Sequence, residues 1–193
     1  QRQMCIRDSF RLLRTNLLFV LNDRNDKVVL MTSTRSGEGK TFISINLAAS
    51  IALMEGKRVL LIGMDIRKPE IANYLSVAPT PGLTQYLAGT ESDLDKIIRT
   101  DVGVPNLDII VSGPSRPNPA ELLASDKVDE LIAALRKRYD YIIIDSAPVG
   151  MVSDTFVLDR VADATVYVTR VNHSTFTDLK YINEIYDHHR LKK

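Results

Sequence analysis

The sequence predicts an α/β fold in which a mostly parallel β-sheet is flanked by helices on both faces. Two observations predict it. The candidate strands, such as Val28–Met31 and Tyr141–Ile144, are unbroken apolar runs, which is typical of parallel strands buried on both faces. Segments with helical periodicity separate most of these runs. Ligands of such sheets bind at the carboxyl ends of the strands, so the residues after each strand are the first candidates for a functional site.

Composition and charge fit one soluble domain. The chain has 193 residues, of which 45% are hydrophobic and 25% charged, which excludes a largely disordered or collagen-like protein. The net charge of +1 gives no indication of binding to nucleic acid. Cys5 is the single cysteine, so no internal disulfide can form. The longest mostly apolar run, residues 42–54, is shorter than the about 20 residues that cross a bilayer.

The first half of the chain shows alternating helical and extended patterns. Apolar Phe10, Leu13 and Leu17 recur at helical spacing, Gly56 is suited to end a helix, and Pro69 is suited to begin one. In order, the patterns predict a helix at 11–21, a strand at 28–31, a helix at 41–54, a strand at 58–62, a short helix at 70–75 and two short helical pieces within 82–98.

The second half continues this alternation. Three prolines in residues 113–119 predict a loop, and Ser125 is a suitable helix cap. The patterns predict a strand at 107–111, a helix at 126–137, a strand at 141–144, a strand at 164–169 and a final polar helix at 173–191.

The motif with the clearest chemistry lies between the strand at 28–31 and the helix at 41–54. It consists of Thr34, Arg35, Ser36, Gly37, Glu38, Gly39, Lys40 and Thr41. In this context successive backbone N–H groups and the helix N-terminus cradle phosphates, Lys40 reaches the terminal phosphates, and Thr41 supplies a hydroxyl for Mg²⁺. The phosphate-binding motif usually has glycine at the position that Thr34 occupies in this sequence. The alternative is a glycine-rich turn that ends in Gly-Lys-Thr by chance.

Two further strands end in aspartate. Residues 58–62 lead to Asp65, and Tyr141–Ile144 lead to Asp145 in the form of a Walker B segment. Carboxylates at this sheet edge can hold Mg²⁺, and Asp65 can also accept the proton of an attacking hydroxyl. Taken alone, a strand-end aspartate is more often the cap of a helix or a turn residue. Together with Lys40, they predict an NTPase-type site with Lys40, Asp65 and Asp145 as catalytic residues and with Thr41, Asp65 and Asp145 as the metal-binding set.

These segments together resemble the bacterial tyrosine kinases of capsule and exopolysaccharide export, which share the P-loop NTPase fold of the ParA/MinD ATPases. The helix at 10–17, the Asp65–Pro69 segment and the Pro-Asn-Pro loop with its following helix, residues 112–123, resemble the corresponding family segments. The resemblance covers residues 10–193. It implies ATP and Mg²⁺ as cofactors and tyrosine autophosphorylation as the activity.

The resemblance also shows a departure. The family's segment reads Asp-x-Asp-x-Arg, and this sequence has Gly63 at the first position and Arg67 at the last. Asp65 is therefore expected to act alone as the base, since loose phosphoryl transfer needs little help from a base. The strand register predicts that an aspartate at position 63 would be accepted. Arg67 is expected to contact the nucleotide, and Arg170 and Asn172 follow the last strand, where related NTPases contact the base.

The resemblance further implies an assembly. Arg11 and Arg14 match an oligomerisation motif, Glu-x-x-Arg-x-x-Arg, and lie on one helix face, which without the family would be read as a solvated basic face. Residues 1–9 resemble a non-native leader, and the domain at 10–193 is expected to stop before a tyrosine-rich tail. The expected partners are neighbouring subunits of a ring and a transmembrane co-polymerase region in the same or a separate chain, which places the domain at the cytoplasmic face of the plasma membrane.

Three functions remain as alternatives. The first is an ATP-dependent tyrosine kinase that regulates polysaccharide synthesis and export. The second is a ParA/MinD-like ATPase with water as the nucleophile. The third is a nucleotide-gated assembly module that transfers little phosphate, an alternative that Gly63 supports. Tyr181 and Tyr186 in the final helix are read as packing positions, and the three histidines as surface residues.

Overall fold

A computed structural model describes residues 2–23 and 25–192 of the chain. In these ranges the strands are β1 (Val28–Ser33), β2 (Val59–Gly63), β3 (Ile98–Arg99), β4 (Leu107–Ile110), β5 (Tyr141–Asp145) and β6 (Ala164–Val168). The α-helices are α1 (Arg2–Val20), α2 (Lys40–Ala52), α3 (Ile71–Leu75), α4 (Leu83–Leu87), α5 (Leu94–Ile97), α6 (Pro119–Ala124), α7 (Asp126–Arg136), α8 (Asp154–Leu158) and α9 (Phe176–Asp187). A 3₁₀ turn, Asp159–Val161, follows α8.

The strands form one sheet in the order β3-β4-β2-β5-β1-β6. All neighbours are parallel except the short edge pair β3 and β4, which confirms the predicted fold class. The register pairs Asp145 at the end of β5 with Met31 of β1 and with Gly63 of β2. The ends of three strands therefore meet at one point of the sheet edge.

Alternate residues of the central strands face two separate hydrophobic cores. Val28 and Leu30 of β1 belong to one core, which also contains Leu131 of α7. Val29 and Met31 point to the opposite face, where α1 and α2 cover the sheet. Because both faces are covered, the central strands contain unbroken apolar runs, such as Val28–Met31 and Tyr141–Ile144, which is the pattern that the sequence shows.

The structure adds elements that the periodicity did not predict. α1 begins at Arg2 rather than Arg11, and α9 covers only Phe176–Asp187 of the predicted 173–191. β3, α6 and α8 are additional, although the family resemblance implied a helix after the Pro-Asn-Pro loop. None of the helices within the described ranges combines the length and the hydropathy that a membrane crossing requires.

Candidate active site

The predicted phosphate-binding loop connects β1 to α2. Gly37 and Gly39 have φ angles of 85° and 91°, a left-handed conformation that favours glycine. The loop forms one wall of a cavity of about 260 Å³. The cavity is lined by Ser33, Arg35, Ser36, Gly37, Glu38, Gly39, Lys40, Thr41, Asp65, Lys68, Glu70, Tyr74, Pro148 and Arg170. The cavity therefore brings the loop, Asp65 and Arg170 together.

Thr34 is the member of the motif that does not line this cavity. Its hydroxyl lies 2.8 Å from the hydroxyl of Tyr167 in β6, and burial raises the pKa of Tyr167 to about 12. The threonine backbone also packs against Gly150, where an added Cβ would lie 2.5 Å from the Thr34 carbonyl oxygen. A side chain at position 34 is therefore accommodated on the outer side of the loop, and glycine is required at 150 instead.

Asp145 is held by three donors from α2. Its Oδ1 lies 3.0 Å from Lys40 Nζ and 3.0 Å from Ser44 Oγ, and its Oδ2 accepts a 2.8 Å hydrogen bond from Thr41 Oγ1. Lys40 is 7% exposed and Asp145 is 2% exposed. The buried carboxylate is therefore both paired and hydrogen-bonded, as a charge in such a site must be.

This arrangement fits a hard divalent cation. The Thr41 hydroxyl donates its proton to Asp145, so its lone pairs remain free toward the cavity, and the Asp65 carboxylate lines the same cavity. Oxygen donors of this kind suit Mg²⁺. Asp145 itself lies behind Thr41 and Lys40 with its oxygens already engaged, so the geometry favours an indirect role in which Asp145 orients Thr41.

Asp65 is positioned by the end of β5. The backbone N–H groups of Met64 and Asp65 both donate to the Asp145 carbonyl oxygen, at 2.8 and 3.0 Å. The Asp65 carboxylate accepts a hydrogen bond from Lys68 N–H at 2.9 Å. Burial raises the pKa of Asp65, an effect that the Lys68 N–H and the charge of Lys40 partly offset. A raised pKa makes this carboxylate a better proton acceptor near neutral pH.

The backbone at Gly63 differs from what the strand register predicted. An added Cβ would lie 2.7 Å from Ser112 Oγ and 3.2 Å from Ile71 Cδ1. The Ser112 hydroxyl fills this space and lies 2.9 Å from the Gly63 carbonyl oxygen and 3.1 Å from that of Asp65. An aspartate at 63 therefore displaces Ser112, which corrects the expectation that the site accepts it unchanged.

We expect Gly63→Asp to destabilise the protein by about 1–3 kcal/mol, the usual cost of overpacking. Ser112→Ala alone should cost about 1 kcal/mol through lost hydrogen bonds. The double variant should cost less than the sum, because removing the hydroxyl makes room for the new Cβ. Urea unfolding of the four proteins measures this coupling, and additive free energies would show that Ser112 is not the obstacle.

The three other predicted nucleotide contacts have different positions. Arg67 forms an ion pair with buried Asp154, the first residue of α8, at 2.9 Å, and does not line the cavity. Arg170 lines the cavity and donates a 2.9 Å hydrogen bond to the Gly37 carbonyl oxygen. Asn172 is exposed, with a φ of 62°, at the tip of the turn after β6. Of these three predictions, the structure brings only Arg170 to the cavity.

The two arginines of the predicted oligomerisation motif on α1, Arg11 and Arg14, are not equivalent. Arg11 is exposed and pairs with Asp8 at 3.2 Å. Arg14 is half-buried and donates a 2.7 Å hydrogen bond to the Ser50 carbonyl oxygen of α2. Arg11 is thus available to a second molecule, whereas Arg14 already joins α1 to α2.

Around the loop, the sequence reasoning included Glu38 in the motif but missed three residues that contact the motif, namely His173, Ser174 and Asp178. Glu38 is 3% exposed and accepts a hydrogen bond from the Arg35 N–H at 2.7 Å. Ser174 donates a hydrogen bond to the other Glu38 oxygen. His173 Nε2 lies 3.0 Å from the Ser36 carbonyl oxygen, and Asp178 pairs with Arg35 at 2.9 Å. The strand-end position of residues 170–174 was the one sequence signal that pointed to this region.

Comparisons with known proteins assign the chain to a family. A profile described as an AAA domain matches residues 26–188. The chain is 40% identical to the putative tyrosine-protein kinase EpsB of Ralstonia nicotianae, over 90% of its own length and 23% of EpsB. It is 39% identical to the tyrosine-protein kinase YwqD of Bacillus subtilis, over 83% of its own length and 67% of YwqD. The chain thus spans about a quarter of EpsB and two thirds of YwqD.

Solved structures give the same assignment. The kinase domain of the Escherichia coli tyrosine kinase ETK superposes with a TM-score of 0.89 at 31% identity, covering 96% of this chain and 72% of that domain. MinD of Pyrococcus horikoshii OT3 superposes with a TM-score of 0.69 at 24% identity, covering 86% and 67%, and shares the fold. The chain therefore belongs to the AAA-domain family and, within it, to the bacterial tyrosine-protein kinases.

Proposed function

We propose that this chain is the catalytic domain of an ATP-dependent protein-tyrosine kinase that regulates capsular or exopolysaccharide synthesis and export. The observation that carries the proposal is the cluster of Lys40, Asp145 and Thr41, because Lys40 and Thr41 of this cluster line the same cavity as Asp65. The similarity to EpsB and YwqD, both named tyrosine-protein kinases, supports it.

Each of the cavity residues has a separate role in the proposed reaction. ATP binds with its terminal phosphates on the backbone N–H groups of residues 36–41, and Lys40 neutralises charge on the γ-phosphoryl oxygens. Mg²⁺, held by Thr41 and Asp65, supplies further charge neutralisation when bound. A tyrosine phenol oxygen bonds to the γ-phosphorus while the bond to the β–γ bridging oxygen breaks and ADP leaves. The phenolic proton passes to the Asp65 carboxylate.

Phosphotyrosine formation tests this proposal. The chain and the full-length gene product are incubated with Mg-ATP and a Glu/Tyr copolymer, and phosphotyrosine is measured by mass spectrometry. We expect phosphotyrosine in the copolymer or the protein. Release of inorganic phosphate without phosphotyrosine would favour the MinD-like ATPase. Nucleotide-dependent assembly without either product would favour the assembly module.

We further propose that the domain works in a homo-oligomeric ring beside a transmembrane co-polymerase region at the cytoplasmic face of the plasma membrane, where a neighbour supplies the acceptor tyrosine. The exposure of Arg11 on α1 supports a contact between subunits.

Arg11→Ala is expected to lower the mass of the assembly in light scattering without changing the melting temperature, because this guanidinium is exposed. Arg14→Ala should also lower the melting temperature, since it removes the bond to Ser50. Assembly should weaken as salt screens the Arg11 contact. An assembling parent whose mass Arg11→Ala leaves unchanged would exclude Arg11 from the contact, and a parent that stays monomeric with its native flanking residues would exclude the ring.

A further inference from the structure

The turn that follows β6 lies against the outer side of the phosphate-binding loop. We name this turn, residues 170–174, the brace turn. Its His173 ring holds the Ser36 carbonyl oxygen at 3.0 Å through Nε2, and its Arg170 side chain holds the Gly37 carbonyl oxygen at 2.9 Å. Two consecutive carbonyl groups of the loop are therefore held by side chains of this turn.

A third contact involves a buried acid. Ser174 donates its hydroxyl proton to one oxygen of Glu38, and the other oxygen accepts the Arg35 N–H at 2.7 Å. Glu38 is 3% exposed, so its carboxylate depends on these donors for the hydrogen bonds that water would otherwise provide. The carboxylate thus links the brace turn to the start of the loop.

The brace turn has a defined structure of its own. The Arg170 carbonyl oxygen accepts hydrogen bonds from the N–H groups of His173 and Ser174, at 3.1 and 2.9 Å. Ser174 Oγ accepts the Arg170 N–H at 2.8 Å. The next residue, Thr175, caps α9 together with Asp178, and Asp178 also accepts a 2.9 Å hydrogen bond from Arg35. The contacts to the loop therefore come from a turn that is anchored to a helix.

The orientation of the bound carbonyls decides the orientation of the adjoining N–H groups. In a planar trans peptide, the carbonyl of one residue and the N–H of the next point in opposite directions. Holding the carbonyls of Ser36 and Gly37 toward the brace turn therefore directs the N–H groups of Gly37 and Glu38, which line the cavity, away from that turn. Inward N–H groups in succession form an anion-binding concavity.

We propose that the brace turn preorganises the phosphate-binding loop for the polyphosphate of a nucleotide, with His173 and Ser174 as positioning residues. The inference rests on the proposed binding of ATP at this loop and adds residues to it. It differs from a role for residues 170–172 in base recognition, because the brace acts on the phosphates and not on the nucleoside.

Two probes separate these roles. Mg-ADP is titrated by calorimetry, and inorganic pyrophosphate, which lacks base and ribose, is measured in competition with it. We expect His173→Phe, which keeps a ring but removes the donor, to weaken both probes by a similar factor of about 3–10, the range for one lost hydrogen bond. His173→Gln places an amide N–H at about the same reach and should recover most of the affinity. Ser174→Ala should weaken both probes by at least as much.

The control is His188→Phe, which removes an exposed histidine at the C-terminal end of α9 and should change neither constant. Weaker Mg-ADP binding with unchanged pyrophosphate binding would overturn the inference in favour of base recognition. Unchanged binding of both probes by His173→Phe would overturn it outright. Equal losses in His173→Phe and His173→Gln would also contradict it, because a lost donor could then not be the cause. A parent that binds neither probe would refute the proposed nucleotide site itself.

Discussion

Replacing Lys40 by alanine is expected to lower tyrosine phosphorylation by about 10²–10³-fold, the usual loss when one preorganised charge partner of a transition state is removed. Lys40 is fixed before ATP arrives, since its ammonium lies 3.0 Å from Asp145 at 8% side-chain exposure. The loss should appear in kcat, because the charge of the γ-phosphoryl group is redistributed as the transition state forms. Activity within threefold of the parent would remove Lys40 from this role.

The same change also affects stability. Removing one partner of a buried ion pair typically costs about 3–5 kcal/mol, and Thr41 and Ser44 remain as donors to Asp145. Lys40→Met keeps most of the side-chain volume and is the preferred variant if Lys40→Ala melts near the assay temperature. Lys96→Ala, which removes an exposed lysine paired with Glu91, is the matched control and should keep full activity. Circular dichroism at the assay temperature shows whether each variant is folded.

Local sequence was sufficient to predict the phosphate-binding loop. Its residues are contiguous, the flanking strand and helix fix their direction, and Gly37 and Gly39 have the backbone angles that the motif implied. The strands were predictable for a similar reason, because burial on both faces leaves a continuous apolar run. Ser44 could also have been found, since it follows Lys40 by one helical turn on α2 and so faces the same carboxylate.

Contacts between segments that are far apart in the sequence could not be predicted from local sequence patterns. The Ser112 side chain limits the space available to a side chain at position 63. Arg170 and His173 form hydrogen bonds to the carbonyl groups of the loop. Short elements were missed because they depend on tertiary contacts rather than on periodicity. The end of α6 is held by Arg160, whose guanidinium donates to the carbonyl oxygens of Leu123 and Ser125. The sequence around Pro119–Ala124 does not indicate these hydrogen bonds, because Arg160 lies far from it in the chain.

Asp145→Asn is expected to raise the Mg²⁺ concentration required for half-maximal activity by about 10–100-fold, the typical effect of changing a group that orients a metal ligand. This shift is expected because the substitution reverses the direction of the hydrogen bond between Thr41 and residue 145. Asp145 accepts from Lys40, Ser44 and Thr41, and an asparagine has only one oxygen to offer. The Lys40 ammonium can only donate, so the amide oxygen turns toward Lys40 and the NH₂ group faces Thr41.

The Thr41 hydroxyl then becomes an acceptor toward residue 145 and loses a lone pair that would otherwise face the metal. The fold should survive, because the asparagine side chain has the same shape and β5 is unchanged. Asp140→Asn is the matched control, since Asp140 precedes the opposite end of the same strand and accepts the Arg58 N–H at 2.9 Å. We expect a cooperative melt for both variants and a shifted Mg²⁺ titration for Asp145→Asn alone. Superimposable titrations of parent and Asp145→Asn would show that Asp145 does not orient the metal ligand and that its carboxylate serves only as the counter-charge of Lys40.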